Sequence, residues 1–196
     1  MFSLFSKSTN KVQGGFTLIE LLVSVGVLTI ITAIVLANHA RFGGDLLLSN
    51  LAYDIALSIR QSQSYGLSVR EVGTGTGFFD TGYGVYFAEN APTSYVLFAD
   101  RDKDGLYDGG AELVEAYTLG RGNTIQSFCG VLSSGVEKCV PLLSFLSVVF
   151  IRPDPDAIIK SSISGDTYSS ARIVVQSPQG TQREVNVEVT GQISVE

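Results

Sequence analysis

The sequence predicts an α+β fold, in which a long N-terminal helix, membrane-spanning in its first half, packs on an antiparallel β-sheet head. Three patterns carry this prediction. The stretch from Leu21 to Ala37 contains no charged residue, leucines and isoleucines then recur at helical spacing, and alternating apolar runs begin near Tyr83. With 196 residues, the chain is long enough for one membrane helix and one modest domain.

The first helical segment, residues 16–37, has the length and composition of a membrane helix. At a rise of about 1.5 Å per residue it extends roughly 33 Å, which exceeds a hydrocarbon core of about 30 Å. Lys7 and Lys11 precede it, so its N-terminal side is expected to stay in the cytoplasm and the rest of the chain to lie across the membrane. Glu20 is the exception to its apolar character, because a carboxylate in lipid needs a partner or a place at the interface.

Residues 38–70 are predicted to continue the helix with an amphipathic face. The apolar residues of this face recur at helical spacing and are Leu47, Leu48, Leu51, Ile55 and Ile59. The face is expected to pack on the head. Gly43 and Gly44 are a weak point in the helix, and the Gly-Thr repeat at 72–77 is expected to form a loop.

Residues 71–196 are predicted to form the β-rich head. Seven runs have the composition of strands, at 83–87, 94–99, 113–119, 124–128, 146–151, 171–176 and 184–189. The runs at 113–119 and 124–128 are expected to pair as a hairpin around the turn at 120–123. The two prolines within 152–156 are expected to interrupt the sheet.

The hexapeptide Gly15-Phe16-Thr17-Leu18-Ile19-Glu20 closely resembles the cleavage and methylation site of type IV prepilins and type II secretion pseudopilins. The resemblance implies a leader, residues 1–15, that prepilin peptidase removes after Gly15. Phe16 would become the N-methylated mature terminus. Glu20 would be the fifth mature residue, which helps to set subunits in register, and the amine of a neighbouring Phe16 is a suitable partner for its carboxylate. The alternatives are a signal anchor with a chance glutamate and a cleaved secretory signal.

The same resemblance implies a structural subunit of a type IV pilus or a type II secretion pseudopilus. Its partners would be prepilin peptidase, other pilin or pseudopilin subunits, an inner-membrane assembly platform and, before assembly, membrane lipid. The subunit would begin as a single-pass inner-membrane protein and end in an extracytoplasmic filament.

A looser pattern resembles the H-type minor pseudopilins and the FimT/FimU-like pilins. It comprises the helical stretch 58–64, the strand motif 84–87 and an Asp-rich turn before a strand. This likeness implies a minor subunit at the filament tip, and a major-pilin role is the alternative. Some FimT-like relatives take up DNA through basic C-terminal residues, whereas residues 190–196 contain neither Lys nor Arg.

Composition argues against several other classes of protein. Thirteen basic and 19 acidic residues give a formal net charge of −6, which does not suit a nucleic-acid binder. The one histidine, His39, lies two residues after the apolar segment, so a Ser–His–Asp site or a multi-histidine metal site is not expected in the head. The chain is therefore predicted not to be an enzyme. The rival classes are a bitopic surface enzyme and a membrane-anchored, calcium-binding adhesive module.

The Asp-rich turn resembles the calcium loop of an EF-hand in its spacing. Asp100, Asp102, Asp104 and Asp108 occupy positions one, three, five and nine; Gly105 is at position six, and the carbonyl of Leu106 would serve position seven. Glu112 comes one residue late, and the flanking segments look like strands. Two interpretations stay open: a calcium loop set in a β-hairpin, with Glu112 reaching back, or a solvated turn. Calcium is the single candidate cofactor.

Cys129 and Cys139 are the only cysteines, and both lie in the part expected to be outside the cell membrane. Because that compartment is often oxidising, a disulfide is plausible. By the chain-entropy model, a loop of this size stabilises the fold by about 3 kcal/mol. Two buried free thiols and half of a metal site are the competing interpretations.

Overall fold

The computed structural model describes residues 15–69 and 81–196, without the side chains of residues 37–43. Most of the predicted leader and the Gly-Thr repeat at 72–77 lie outside the described residues. The chain divides into two compact units, Met1–Arg41 and Phe42–Glu196.

One long helix, α1, runs from Leu18 to Leu67 and contributes to both units. In the first unit, the segment Leu18–Leu36 is long and apolar enough to cross a membrane, and none of it is buried within the chain. The helix continues through Gly43 and Gly44 without a break. It ends at Leu67, close to the predicted end at residue 70.

In the second unit, α1 buries a narrow stripe against the strands. Its buried residues at intervals of three and four are Leu48, Ala52, Ile55, Ile59 and Ser62, and Ser58 is buried beside Ile59. Polar contacts also fix this half of the helix: Ser58 Oγ and Tyr95 Oη lie 2.9 Å apart, and Thr181 Oγ1 donates to Asp45 Oδ1 at 2.9 Å. The predicted amphipathic face is therefore slightly rotated, since Leu47 and Leu51 are only half-buried.

The described part of the head contains ten strands in two antiparallel sheets of five. The first sheet has the order β3-β2-β1-β6-β7. Its strands are β1 Gly82–Ala88, β2 Ser94–Asp100, β3 Leu113–Thr118, β6 Phe145–Phe150 and β7 Ala157–Ser161. The second sheet has the order β10-β9-β8-β4-β5. Its strands are β4 Thr124–Leu132, β5 Glu137–Cys139, β8 Tyr168–Gln176, β9 Gln182–Glu188 and β10 Ile193–Val195.

A single hydrophobic cluster joins the helix to both sheets. It includes Ile55 of α1, Phe87 and Phe150 of the first sheet, and Phe128 and Ile173 of the second, all of them almost fully buried. Burial of such side chains is the main favourable term in folding. The predicted α+β class, a long helix followed by an antiparallel β-rich head, is confirmed.

The predicted hairpin between 113–119 and 124–128 is wrong. β3 pairs with β2 at the edge of the first sheet, whereas β4 pairs with β8 and β5 in the second. The turn at 120–123 therefore carries the chain from one sheet to the other. Arg121 and Gly122 both have positive φ there, at 60° and 76°, which redirects the backbone. Strands β5, β7 and β10 were not predicted.

Candidate functional sites at the helix start and in an acidic loop

The start of α1 is built around Thr17. Gly15, Phe16 and Thr17 precede the helix and are exposed. The amide of Glu20 donates to Thr17 Oγ1 at 3.3 Å, and the first helical backbone bond runs from Leu21 N to Thr17 O at 3.1 Å. Thr17 is therefore the N-cap of the helix. This role was not predicted, although the spacing Thr17-x-x-Glu20 is that of a capping box.

Gly15 has open space around it. A β-carbon placed on this residue would meet no other atom of the described chain within 4 Å. The bond between Gly15 and Phe16 lies before the first residue of the helix, and both residues are exposed. A larger residue at position 15 would therefore leave the fold of this chain unchanged.

Glu20 lies in the first turn of α1 with its side chain exposed. A negative charge at this position interacts favourably with the positive end of the helix dipole. The apolar side chains that follow, through Leu36, are exposed within the chain as well. A continuous apolar surface of this size is normally covered by lipid or by other protein.

The second site is the loop that joins β2 to β3. The hairpin pairing continues one residue beyond β3, because the amide of Ala99 in β2 donates to the carbonyl oxygen of Glu112 at 2.8 Å. This pairing brings Glu112 to the base of the loop, beside Asp100. Strand β3 accommodates an extra residue by a shift in register opposite Leu97 and Phe98.

Asp100 is the most unusual acidic residue of the described head. Its relative exposure is 0 %, and its Oδ2 accepts the amide of Gly105 at 3.1 Å, whereas its Oδ1 has no hydrogen-bond partner. Burial raises the pKa of Asp100 to about 6. The amides of Gly105 and Lys103 act in the opposite direction, and the charges of Asp104 and Glu112 add to the rise.

Glu112 is also buried, with a relative exposure of 6 %. Its two oxygens accept the amides of Arg101 and Asp108 at 2.9 and 3.0 Å. Asp104 accepts the amide of Leu106 at 2.7 Å. The carboxylates of Asp100, Asp102 and Glu112 place one oxygen each within 4.8 Å of one another, and so do those of Asp102, Asp104 and Asp108.

The two cysteines face each other across the pairing of β4 with β5. Cys129 is the register partner of Cys139, and a disulfide bond joins them. The two cysteines are thus present as a disulfide rather than as free thiols, and the bond ties the edge strand β5 to the second sheet.

Comparison with protein families gives a match at the start of the chain. A model described as the prokaryotic N-terminal methylation motif matches residues 10–36. The match includes Gly15, Phe16 and Glu20, and it ends at the last residue of the apolar segment. The chain thus carries the N-terminal motif of the type IV pilin-like class, and the match supports membership of that class. No curated protein and no solved structure matches the chain.

Proposed function

We propose that this chain is a structural subunit of a type IV pilus or a type II secretion pseudopilus, matured by prepilin peptidase and assembled through α1. The observation that carries the proposal is the methylation motif at residues 10–36, which coincides with an exposed segment in front of a long apolar helix. A processing site and a filament-forming helix are the two parts that such a subunit requires.

The exposed segment before the helix supports the proposed processing step. The peptidase would hydrolyse the peptide bond between Gly15 and Phe16 with one water molecule. The freed amine of Phe16 would then take a methyl group from a sulfonium-type donor, which leaves as a thioether, and the amine would lose a proton. Thr17, the residue that caps the helix, lies after this bond, so the cap would remain in the mature chain.

The assembly step follows from the exposed apolar surface. Before assembly the segment Leu18–Leu36 would lie in the inner membrane as a single span, with the N terminus in the cytoplasm. In the filament the same side chains would pack against the helices of neighbouring subunits, delivered by an inner-membrane platform. Glu20 would then be a carboxylate in an apolar surrounding, where the amine of a neighbouring Phe16 is a suitable partner.

The role of a minor, H-type subunit is the finer part of the proposal. The strand motif at 84–87 lies in β1, at the centre of the first sheet, and the Asp-rich turn precedes β3. The alternative of a bitopic surface enzyme has less support, because pilin-type proteins are structural.

Co-expression of the full chain with prepilin peptidase tests the processing step. Mass spectrometry should find a protein that begins at Phe16 and carries one added methyl group. Gly15→Ala should impair the cut, while Gly26→Ala is the matched control, because a β-carbon at either glycine meets no atom within 4 Å. An intact Met1 terminus in assembled material would contradict the proposal.

Recovery from sheared filaments tests the assembly step. Glu20→Ala should leave the protein in the membrane, because the apolar segment is untouched, but should reduce its incorporation into filaments. Thr29→Ala, another exposed change in the same segment, should be incorporated normally. Wild-type recovery of the Glu20 variant would exclude a role of Glu20 in register.

A further inference from the structure

The loop between β2 and β3 contains a buried carboxylate that is only partly satisfied. Asp100 is completely inaccessible to solvent, and its Oδ1 has no hydrogen-bond partner within the described chain. Native proteins rarely leave a buried polar atom in this state, because it forgoes its interactions with water without replacement. The unpaired oxygen thus points to a group that binds there and that the protein chain does not supply.

The surroundings of Asp100 show what kind of group fits. One oxygen of Asp102 and one of Glu112 lie within 4.8 Å of an Asp100 oxygen and of each other. Two oxygens bound to one Ca²⁺ at about 2.3–2.6 Å can be at most about 5 Å apart. Three carboxylates from different positions of the hairpin therefore already converge to the spacing that one calcium ion requires.

The carboxylate of Glu112 can accept a further interaction. Each oxygen of Glu112 accepts one amide hydrogen, and a carboxylate oxygen has a second lone pair available. Asp102 also belongs to the exposed group formed with Asp104 and Asp108. The five carboxylates thus form two groups that share Asp102.

The charge of the loop favours a cation. Residues 100–112 contain five acidic and two basic residues. The charges that act on buried Asp100 from Asp104 and Glu112 are both negative. A divalent cation between these groups would convert their mutual repulsion into attraction.

The loop is held in place on the first sheet. Ser147 Oγ in β6 donates to the carbonyl oxygen of Gly105 at 2.9 Å, and both groups are buried. Gly105 has φ of +80°, which gives the sharp turn after Asp104. A loop anchored in this way loses less conformational freedom when it binds an ion.

We propose that the β2–β3 loop binds one Ca²⁺ ion, with the unpaired Oδ1 of Asp100, a carboxylate oxygen of Asp102 and one of Glu112 as ligands. The exposed carboxylates of Asp104 and Asp108 draw the ion to the site and complete its oxygen environment, together with water. Oxygen donors of this kind suit Ca²⁺, whereas the softer transition metals prefer nitrogen or sulfur. Mg²⁺ demands a smaller, near-octahedral set of ligands.

Calorimetry and thermal unfolding of the full chain in detergent micelles, after removal of metal with a chelator, test the proposal. Ca²⁺ at about 1 mM, the weak end of the affinity range for extracellular modules, should give a saturable heat of binding. At tenfold excess over Kd, the Tm should rise by about 3–6 °C. The same concentration of Mg²⁺ should give a smaller rise.

Three variants locate the site. Asp100→Asn should abolish the calcium-dependent rise, and in chelator it should melt no lower than the wild type, because it removes a buried charge. Asp102→Asn changes an exposed residue and should abolish the rise even if the first variant does not fold. Asp154→Asn, an exposed aspartate outside the loop, should respond like the wild type.

Three outcomes would contradict the proposal. A wild-type chain without heat or change in Tm in calcium overturns it and leaves a turn only. A full response in the Asp100 and Asp102 variants overturns the assignment to this loop. An equal response to Mg²⁺ overturns the preference for calcium.

Discussion

Gly66 of α1 lies so close to β6 that a β-carbon at this position would be 2.1 Å from the carbonyl oxygen of Phe150. The neighbouring atom is backbone, so it cannot rotate away as a flexible side chain would. Helix and sheet can therefore approach to this distance only with glycine at position 66.

Gly66→Ala is accordingly expected to destabilise the head. Alanine normally favours a helix over glycine by up to about 1 kcal/mol, but here the clash should reverse the sign and cost about 1–3 kcal/mol. Urea unfolding of the full chain in micelles, followed by the near-ultraviolet circular dichroism of the tyrosines, measures the difference. Gly120→Ala is the control, since a β-carbon there meets no atom within 4 Å. A Gly66 variant as stable as the wild type would show that the helix end shifts without cost.

The ion pair of Lys138 with Asp166 leads to a second prediction, which concerns how the stability of the head depends on pH. Lys138 Nζ lies 2.5 Å from Asp166 Oδ2, and Tyr168 Oη donates to the same oxygen at 3.0 Å. The hydrogen bond from Lys138 holds the pKa of Asp166 below its ordinary value. Because the folded pKa is lowered, the stabilisation is present above the unfolded pKa of about 3.9 and is lost as pH falls through the folded value.

Asp166→Asn should therefore be less stable than the wild type at neutral pH, and the difference should narrow below about pH 4. Urea midpoints measured across this range test the prediction. Asp156→Asn, an exposed change, should differ little from the wild type at any pH. A deficit of the Asp166 variant that stays constant down to the lowest pH would assign it to packing rather than to the charge.

The disulfide supplies the third prediction. Cys129 and Cys139 are separated by 10 positions, and a loop of this length should contribute about 3 kcal/mol through the unfolded chain. A reductant should lower the urea midpoint of the wild type to that of the Cys129→Ser, Cys139→Ser double variant, which should itself not respond. Two alkylatable thiols in the protein before reduction would contradict the bond.

The strands with long alternating patterns were predictable, whereas their partners were not. β1, β2, β8 and β9 were all located from alternating or β-branched residues, which report local burial. Pairing is a property of the whole sheet, and the turn at 120–123 looks like a hairpin turn whether the chain returns or crosses to another sheet. β5 and β10 have only three residues each, too few for a periodic signal.

The acidic loop was likewise predictable in its residue spacing but not in the surroundings of one residue, Asp100. Its spacing was visible in the sequence, and so was the possibility that Glu112 reaches back. The burial of Asp100 was not visible, because it depends on the neighbours that the fold places around the end of β2.

The position of the helix cap has a consequence for maturation. Forming the first turn is the costly step of helix formation, and in α1 that turn is organised by Thr17 and Glu20. Both residues lie after the proposed cut, and so does the first backbone hydrogen bond, from Leu21 to Thr17. The residues that form the first turn of the helix therefore remain in the mature chain. The described hydrogen bonds of the first turn therefore all lie on the mature side of the proposed cut, and removal of the leader leaves them in place.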